Sequence, residues 1–351
     1  MTDRQPHTVL DSLNQALHAV MDADPRVILM GEDLLDPYGG AFKVARGLSD
    51  SFPDQVIPTP ISEAGITGIA GGMALRGLRP VVEIMFGDFT TLIADQLINH
   101  LSKFNLMYTG EAICPVVIRT PMGGRRGYGP THSQTLEKHF LGVPGLVVWA
   151  PFHIQGSHPL GSPGKLLYDA ILKEDSPVLF IENKLQYLLK LLTPAALAEF
   201  EAQHIEVPSQ PACPQYLLSI KAAPQPQITL AAYGYMAHLA MGAIRRLAYE
   251  HEIFCHLWIP TSLSPFDLSG LIPSVSQSNR LLTVEEGGRS LGWGAEVLAS
   301  AAEAMGQGLK ESSRLAAQDN VVPASPALES TCLPSEDMII TRVREMAATH
   351  G

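Results

Sequence analysis

Short runs of Val, Ile and Leu that do not alternate with polar residues recur along this chain, and they restrict its fold more than any other feature. They lie at residues 27–30, 81–86, 116–118, 146–149 and 178–181. A strand with one wet face alternates apolar and polar residues, whereas a strand covered on both faces does not. Most of these runs therefore read as buried strands of a mainly parallel sheet. Between them, residues 8–23 and 91–104 space their apolar side chains at helical period, the second through Ile93, Leu97, Leu101 and Phe104. Strand and helix in alternation predict an α/β layered fold.

The pattern breaks at a Pro-rich stretch carrying Pro208, Pro211, Pro214, Pro224 and Pro226, and resumes with an apolar run at 228–233. A helical pattern then covers 236–251, followed by strand runs near 253–259 and 281–284. Pro-rich composition is typical of inter-domain linkers. The expected organisation is two layered α/β domains with mainly parallel sheets, residues 1–200 and 227–351, joined by a linker at 201–226.

Composition narrows the function. The 351 residues are 46% hydrophobic and 17% charged, so a large interior or covered apolar surface is expected. A formal net charge of −11 argues against nucleic-acid or anionic-membrane partners. Cys114, Cys213, Cys255 and Cys332 are scattered without a C-x-x-C pair, so neither zinc nor a disulfide framework is suggested. The polar start at 1–7, with no run long enough to span a membrane, makes the cytoplasm the expected compartment.

Three segments carry candidate chemistry. Ser62 and Glu63 open a helix rich in small residues, with Ser62 a candidate cap. Glu63 has two readings. In one it complements the positive helix end; in the other it is a desolvated carboxylate ready to share a proton. Phe89, just past the strand near 81–86, offers either core packing or a flat face for a ring. A Gly-rich connection from Pro121 to Gln134 lacks the Lys-Ser/Thr ending of a phosphate loop and carries Arg125, Arg126 and His132. His132 is of a residue type that can donate or accept a proton, and the arginines suit a carboxylate or plain solvent. The acidic pairs Glu32-Asp33 and Glu285-Glu286 lack further ligands at metal spacing, and Ser133 has no nucleophile-elbow context.

Taken in order, these segments resemble the beta subunit of the decarboxylase component of 2-oxo acid dehydrogenases (pyruvate and branched-chain type). The matching residues are Gly31-Glu32-Asp33, Gly39-Gly40-Ala41-Phe42, Pro60 to Gly65, Asp95-Gln96, His132-Ser133-Gln134, Pro177 to Glu182, Ala232-Tyr233-Gly234, Val284 to Gly287 and Pro326 to Glu329. The resemblance implies a transketolase-like pyrimidine-binding domain followed by a transketolase C-terminal domain. It implies that Glu63 bonds the aminopyrimidine of thiamine diphosphate and promotes the tautomer that takes the thiazolium proton. Ile61, Met85 and Phe89 would line that pocket, and His132 would serve near the reacting carbon. The diphosphate and Mg2+ would be held by an alpha-type partner chain in an α2β2 heterotetramer, since this sequence has Gly87-Asp88-Phe89 rather than the family's G-D-G…N motif. A 2-oxo acid substrate and a lipoyl acyltransferase core follow from the same likeness.

Departures accompany it. Ile259 and Thr261 stand where relatives carry Asp and Arg, although Pro265-Phe266-Asp267 is kept. A structural potassium place falls near Val116, Ile171, Glu174 and Ser176, where Glu174 and Ser176 replace the usual Asp and Asn; the ion is not assigned. The basic loop 124–128 points away from pyruvate as substrate. Two alternative readings are a split transketolase-like subunit transferring ketol or aldehyde groups, and a non-catalytic scaffold subunit.

Overall fold

The computed structural model describes residues 5–348; the outer ends of the two expected domains, residues 1–4 and 349–351, lie outside the described residues. The chain divides into two compact units. The first runs through Gly123 and includes His139–Leu192; the second combines Gly124–Lys138 with the chain from Thr193 onward.

In the first unit the buried runs become parallel strands β1 (Val27–Gly31), β2 (Val56–Pro58), β3 (Arg79–Glu83), β4 (Val117–Met122), β5 (Val147–Trp149) and β6 (Val178–Asn183). Their spatial order is β5-β6-β4-β3-β1-β2. Every residue of β1, β3 and β4 is buried, which explains their lack of alternation. The helix Val9–Ala23 begins with a capping box between Thr8 and Asp11 and buries Leu13, Leu17 and Val20. It packs on the helix Gly161–Leu172, where the Gly164 amide donates to Ser12 Oγ at 2.7 Å.

The helix expected over 91–104 is instead broken into a 3-10 turn at Gly87–Ile93, a π turn at Gln96–His100, a 3-10 turn at Leu101–Lys103 and a short α turn at Phe104–Met107. Hydroxyls here compete for helix carbonyls. Thr90 Oγ1 donates to the Gly87 carbonyl at 2.6 Å, Thr91 Oγ1 to that of Asp88 at 3.0 Å, and Ser102 Oγ to that of Ile98 at 3.0 Å.

The second unit holds β7 (Phe200–Ile205), β8 (Gln215–Ile220), β9 (Ile228–Ala232), β10 (Cys255–Pro260), β12 (Arg280–Gly288) and β13 (Glu311–Ala317) in the order β13-β12-β9-β10-β8-β7, with β11 (Ser262–Ser264) outside this sheet. The four strands β13, β12, β9 and β10 are parallel; β8 and β7 extend the edge antiparallel. The linker expected at 201–226 is therefore corrected, because that stretch supplies most of β7 and all of β8. Its prolines sit in the connections on either side of β8, and a Pro-rich turn has the composition of a Pro-rich linker. β7 escapes notice because Glu201, Ala202, Gln203 and His204 are all exposed.

Open α/β sheets form ligand crevices outside the carboxyl ends of strands, where adjacent connections leave in opposite directions. In the first unit the chain leaves β1 for β2 on one side and β3 for β4 on the other, opening a crevice beyond β1 and β3. In the second it leaves β9 for β10 and β12 for β13, opening one beyond β9 and β12.

Candidate active site

Carboxylates collect at the first unit's crevice. Glu32 follows β1 directly, and Glu63 is the first residue of the helix Glu63–Leu75 that leaves β2. Both are buried, at 6% and 8% exposure, whereas Ile61 is 83% exposed. Ser62 does not cap the helix with its side chain, contrary to expectation. Its backbone amide bonds the Glu32 carboxylate instead. Burial first, and then the charge of Glu63, hold the Glu32 carboxyl above its ordinary range. One Glu32 oxygen, Oε1, is buried with no protein partner, so the crevice keeps an acceptor open for a donor from outside the chain.

Apolar groups stand at the next strand end. Met85 and Phe89 are half-buried beyond β3. Phe89 ends a row of rings: its centroid is 5.7 Å from Phe86, which is 5.5 Å from Phe42. A buried ionic network stiffens the floor. Arg119 donates to both oxygens of Glu182, at 2.9 and 2.6 Å, and pairs with Glu83 through its other nitrogen. The Tyr187 hydroxyl donates to Glu182 as well. The Ala41 amide bonds Glu83, and Gly40, at φ +80°, allows that approach, because a Cβ there would strike the Glu83 carboxylate.

The place where the resemblance puts potassium is filled by a side chain. Arg79 Nε donates to the Ile171 carbonyl at 2.5 Å and Nη2 to the Glu174 carbonyl at 2.6 Å, with Asp175 3.3 Å from Nη1. Two of the carbonyls expected there thus already accept from a cationic side chain.

His132 belongs to the second unit, on the connection Gly124–Lys138. Its Nδ1 shares a hydrogen bond with Thr131 Oγ1 at 2.9 Å. This connection lies over the crevice beyond β9 and β12. The Gly124 amide donates to Glu286 Oε1 at 2.9 Å and Arg125 Nη1 to the same oxygen at 2.7 Å. Arg125 Nη2 also donates to the Pro334 carbonyl. The Arg125 and Gly127 amides donate to the two Glu329 oxygens at 2.7 and 3.3 Å. Tyr233 OH donates to Glu137 Oε1 at 2.7 Å.

Arg125 is thus committed within the fold, while Arg126 is exposed, 6.0 Å from the Tyr128 ring. The sequence assigns Glu286, Glu329 and Tyr233 no hold on this loop; their bonds to it are long-range and leave no local signal. Among the described residues no group of three or more His, Cys, Asp or Glu is arranged to hold a metal, and no helix is long and apolar enough to cross a membrane.

Residues 5–188 match the transketolase pyrimidine-binding domain and residues 219–339 the transketolase C-terminal domain. The rice mitochondrial pyruvate dehydrogenase E1 component subunit beta-1 is 34% identical over 339 residues, covering 95% of this chain and 84% of the relative. The chain belongs to the E1 beta-subunit family. Within that family, the beta subunit of acetoin:2,6-dichlorophenolindophenol oxidoreductase from Bacillus subtilis is 32% identical, covering 96% of each chain. The 3-methyl-2-oxobutanoate dehydrogenase subunit beta of Mycobacterium tuberculosis is also 32% identical, covering 97% of this chain and 92% of the relative. A solved split-gene transketolase, an inactive beta4 tetramer, superposes on this E1 beta-type chain with a TM-score of 0.71 at 17% identity, covering 96% of this chain and 97% of that one. That likeness carries the two-domain α/β fold.

Proposed function

We propose that this chain is the beta half of a thiamine diphosphate-dependent 2-oxo acid decarboxylase, working as a dehydrogenase component with an alpha-type chain. The observation that carries the reading is Glu63: a buried carboxylate at a helix start, beside Glu32 with its open oxygen, at a strand-end crevice. A carboxyl and an open acceptor in that position suit an aminopyrimidine, whose ring nitrogen accepts and whose amino group donates. Phe89 offers a ring face, and Met85 and Ile61 offer apolar edges. The high exposure of Ile61 in the lone chain suits a residue covered by ligand or partner.

When bound, thiamine diphosphate supplies the nucleophilic carbon and the electron sink that decarboxylation requires. Glu63 holds and exchanges the proton on the pyrimidine side, aided by burial that keeps water from competing. His132 transfers a proton to the reacting substrate or assists acyl transfer to a lipoyl group. The diphosphate and Mg2+ belong to the alpha-type chain, for which this sequence has no motif, and an α2β2 assembly brings the halves together.

The test is co-purification with the alpha-type chain, then dye reduction with a panel of 2-oxo acids and thiamine diphosphate. Glu63→Gln should abolish turnover, a loss of at least about 100-fold for a proton-transfer group, with assembly intact. Near-normal activity in that variant, or ketol transfer to a sugar acceptor in place of dye reduction, overturns the reading.

A further inference from the structure

The crevice beyond β9 and β12 has the topology of a ligand site, yet the chain's own connection Gly124–Lys138 fills it. Glu137 is fully buried there. Its Oε1 accepts from Tyr233, the residue after β9, and would lie 3.0 Å from a Cβ placed on Gly287 of β12. One carboxylate therefore bonds the residue that follows β9 and lies beside Gly287 of β12. At the other end of the same connection, Glu286 of β12 accepts from Gly124 and Arg125, and Glu329 accepts from Arg125 and Gly127. A Cβ on Gly124 would meet Glu329 Oε1 at 2.9 Å, so the seat is shaped to backbone alone. His132 lies in sequence between these two anchors, its ring bonded to Thr131 Oγ1 and its amide to the Gly129 carbonyl.

We propose that this crevice is a socket for the chain's own loop, and that Tyr233 and Glu137 are positioning residues that set His132 for the reaction. The inference rests on His132 serving the reaction proposed above. Tyr233 fixes Glu137, Glu137 fixes the loop's trailing end, and His132 is held five residues before that anchor. Burial raises the Glu137 carboxyl above its ordinary range, and Glu286 adds like charge from β12, so a protonated or amide side chain suits the seat.

The experiment uses the full chain assembled with its alpha-type partner. In Tyr233→Phe, amides of residues 129–138 should exchange hydrogen about tenfold faster, the order that one buried hydrogen bond is worth. kcat should fall by a similar factor, about tenfold, while KM for the 2-oxo acid stays within about twofold. Glu137→Ala should show the same pair of losses, and Glu137→Gln, which still accepts from Tyr233, should recover most of both. In a His132→Ala background, Tyr233→Phe should lower kcat no further.

An equal loss in that background overturns the proposal, as does unchanged exchange in Tyr233→Phe. If the complex turns over no 2-oxo acid, the functional reading and the role of His132 fall together. The exchange measurement then decides by itself whether the socket holds the loop.

Discussion

Arg79 places its guanidinium between the carbonyl oxygens of Ile171 and Glu174, 2.5 and 2.6 Å from its nitrogens. The side chain is only 8% exposed. A fixed cation of this kind serves as a structural ion would, without dependence on the medium. Thermal midpoints of the chain should therefore be equal in potassium, sodium and choline chloride at matched ionic strength. Arg79→Met should cost at least about 2 kcal/mol, since charged hydrogen bonds to buried carbonyls are lost. Part of that loss should return in potassium chloride but not in choline chloride. Potassium-specific stabilisation of the unaltered chain would sink the idea.

Arg119 is the second internal cation, flanked by Glu83 and Glu182 and 1% exposed. Burial and the opposing acids act on all three groups at once. Arg119→Met leaves two carboxylates facing each other without a counter-charge. The expected cost is about 3–5 kcal/mol, read as a lowered melting temperature or loss of folded yield. Arg119→Lys keeps the charge but not the paired geometry and should lose less. A melting temperature unchanged in Arg119→Met would show that the network is dispensable.

Glu285 gives the second unit a pH dependence. Burial, and then the charge of Glu137, push its carboxyl from 4.5 up to about 8, opposed by the Gly294 and Trp293 amides and by Arg314. In the folded state the proton stays on while the unfolded chain has already released it. The stabilisation is complete below about pH 4.5 and is lost as pH rises through about 8. Denaturant midpoints across this window should decline, by an amount on the order of a few kcal/mol in total. Glu285→Gln should flatten the decline; an unchanged slope in that variant counts against the assignment.

The legible parts of this molecule were those whose cause is local. Val27 to Met30 reads as a buried strand because every side chain there is covered, and Glu63 is placed in a helix's first turn by its spacing alone. Ser62 misled as a cap: its side chain makes no cap bond, and its amide bonds Glu32, a residue distant in sequence. The helix expected over 91–104 fails for a local reason that apolar spacing ignores, the hydroxyls of Thr90, Thr91 and Ser102. Phe200–Ile205 fails for the opposite reason, since an exposed edge strand carries no hydrophobic signature.

The least legible contacts join the Gly124–Lys138 connection to Tyr233, Glu286 and Glu329. No periodicity relates Arg125 to Glu286, 161 residues away. The motifs containing those residues match the family, but matching does not say what they touch. Arg125 and Arg126, neighbours of equal composition, divide in the structure into an anchor and an exposed cation.

That connection also sets an order on how the chain is made. The Arg125 amide bonds Glu329, which lies 204 residues later. At ordinary synthesis rates of about 5–20 residues per second, that is a wait of about 10–40 s. During this interval β6 is made and completes the strands β1–β6 of the first unit, while the segment bearing His132 still lacks its Glu329 anchor. The loop can therefore be seated only in stages: Tyr233 and Glu286 emerge first, and the bonds from the Arg125 and Gly127 amides must wait for Glu329.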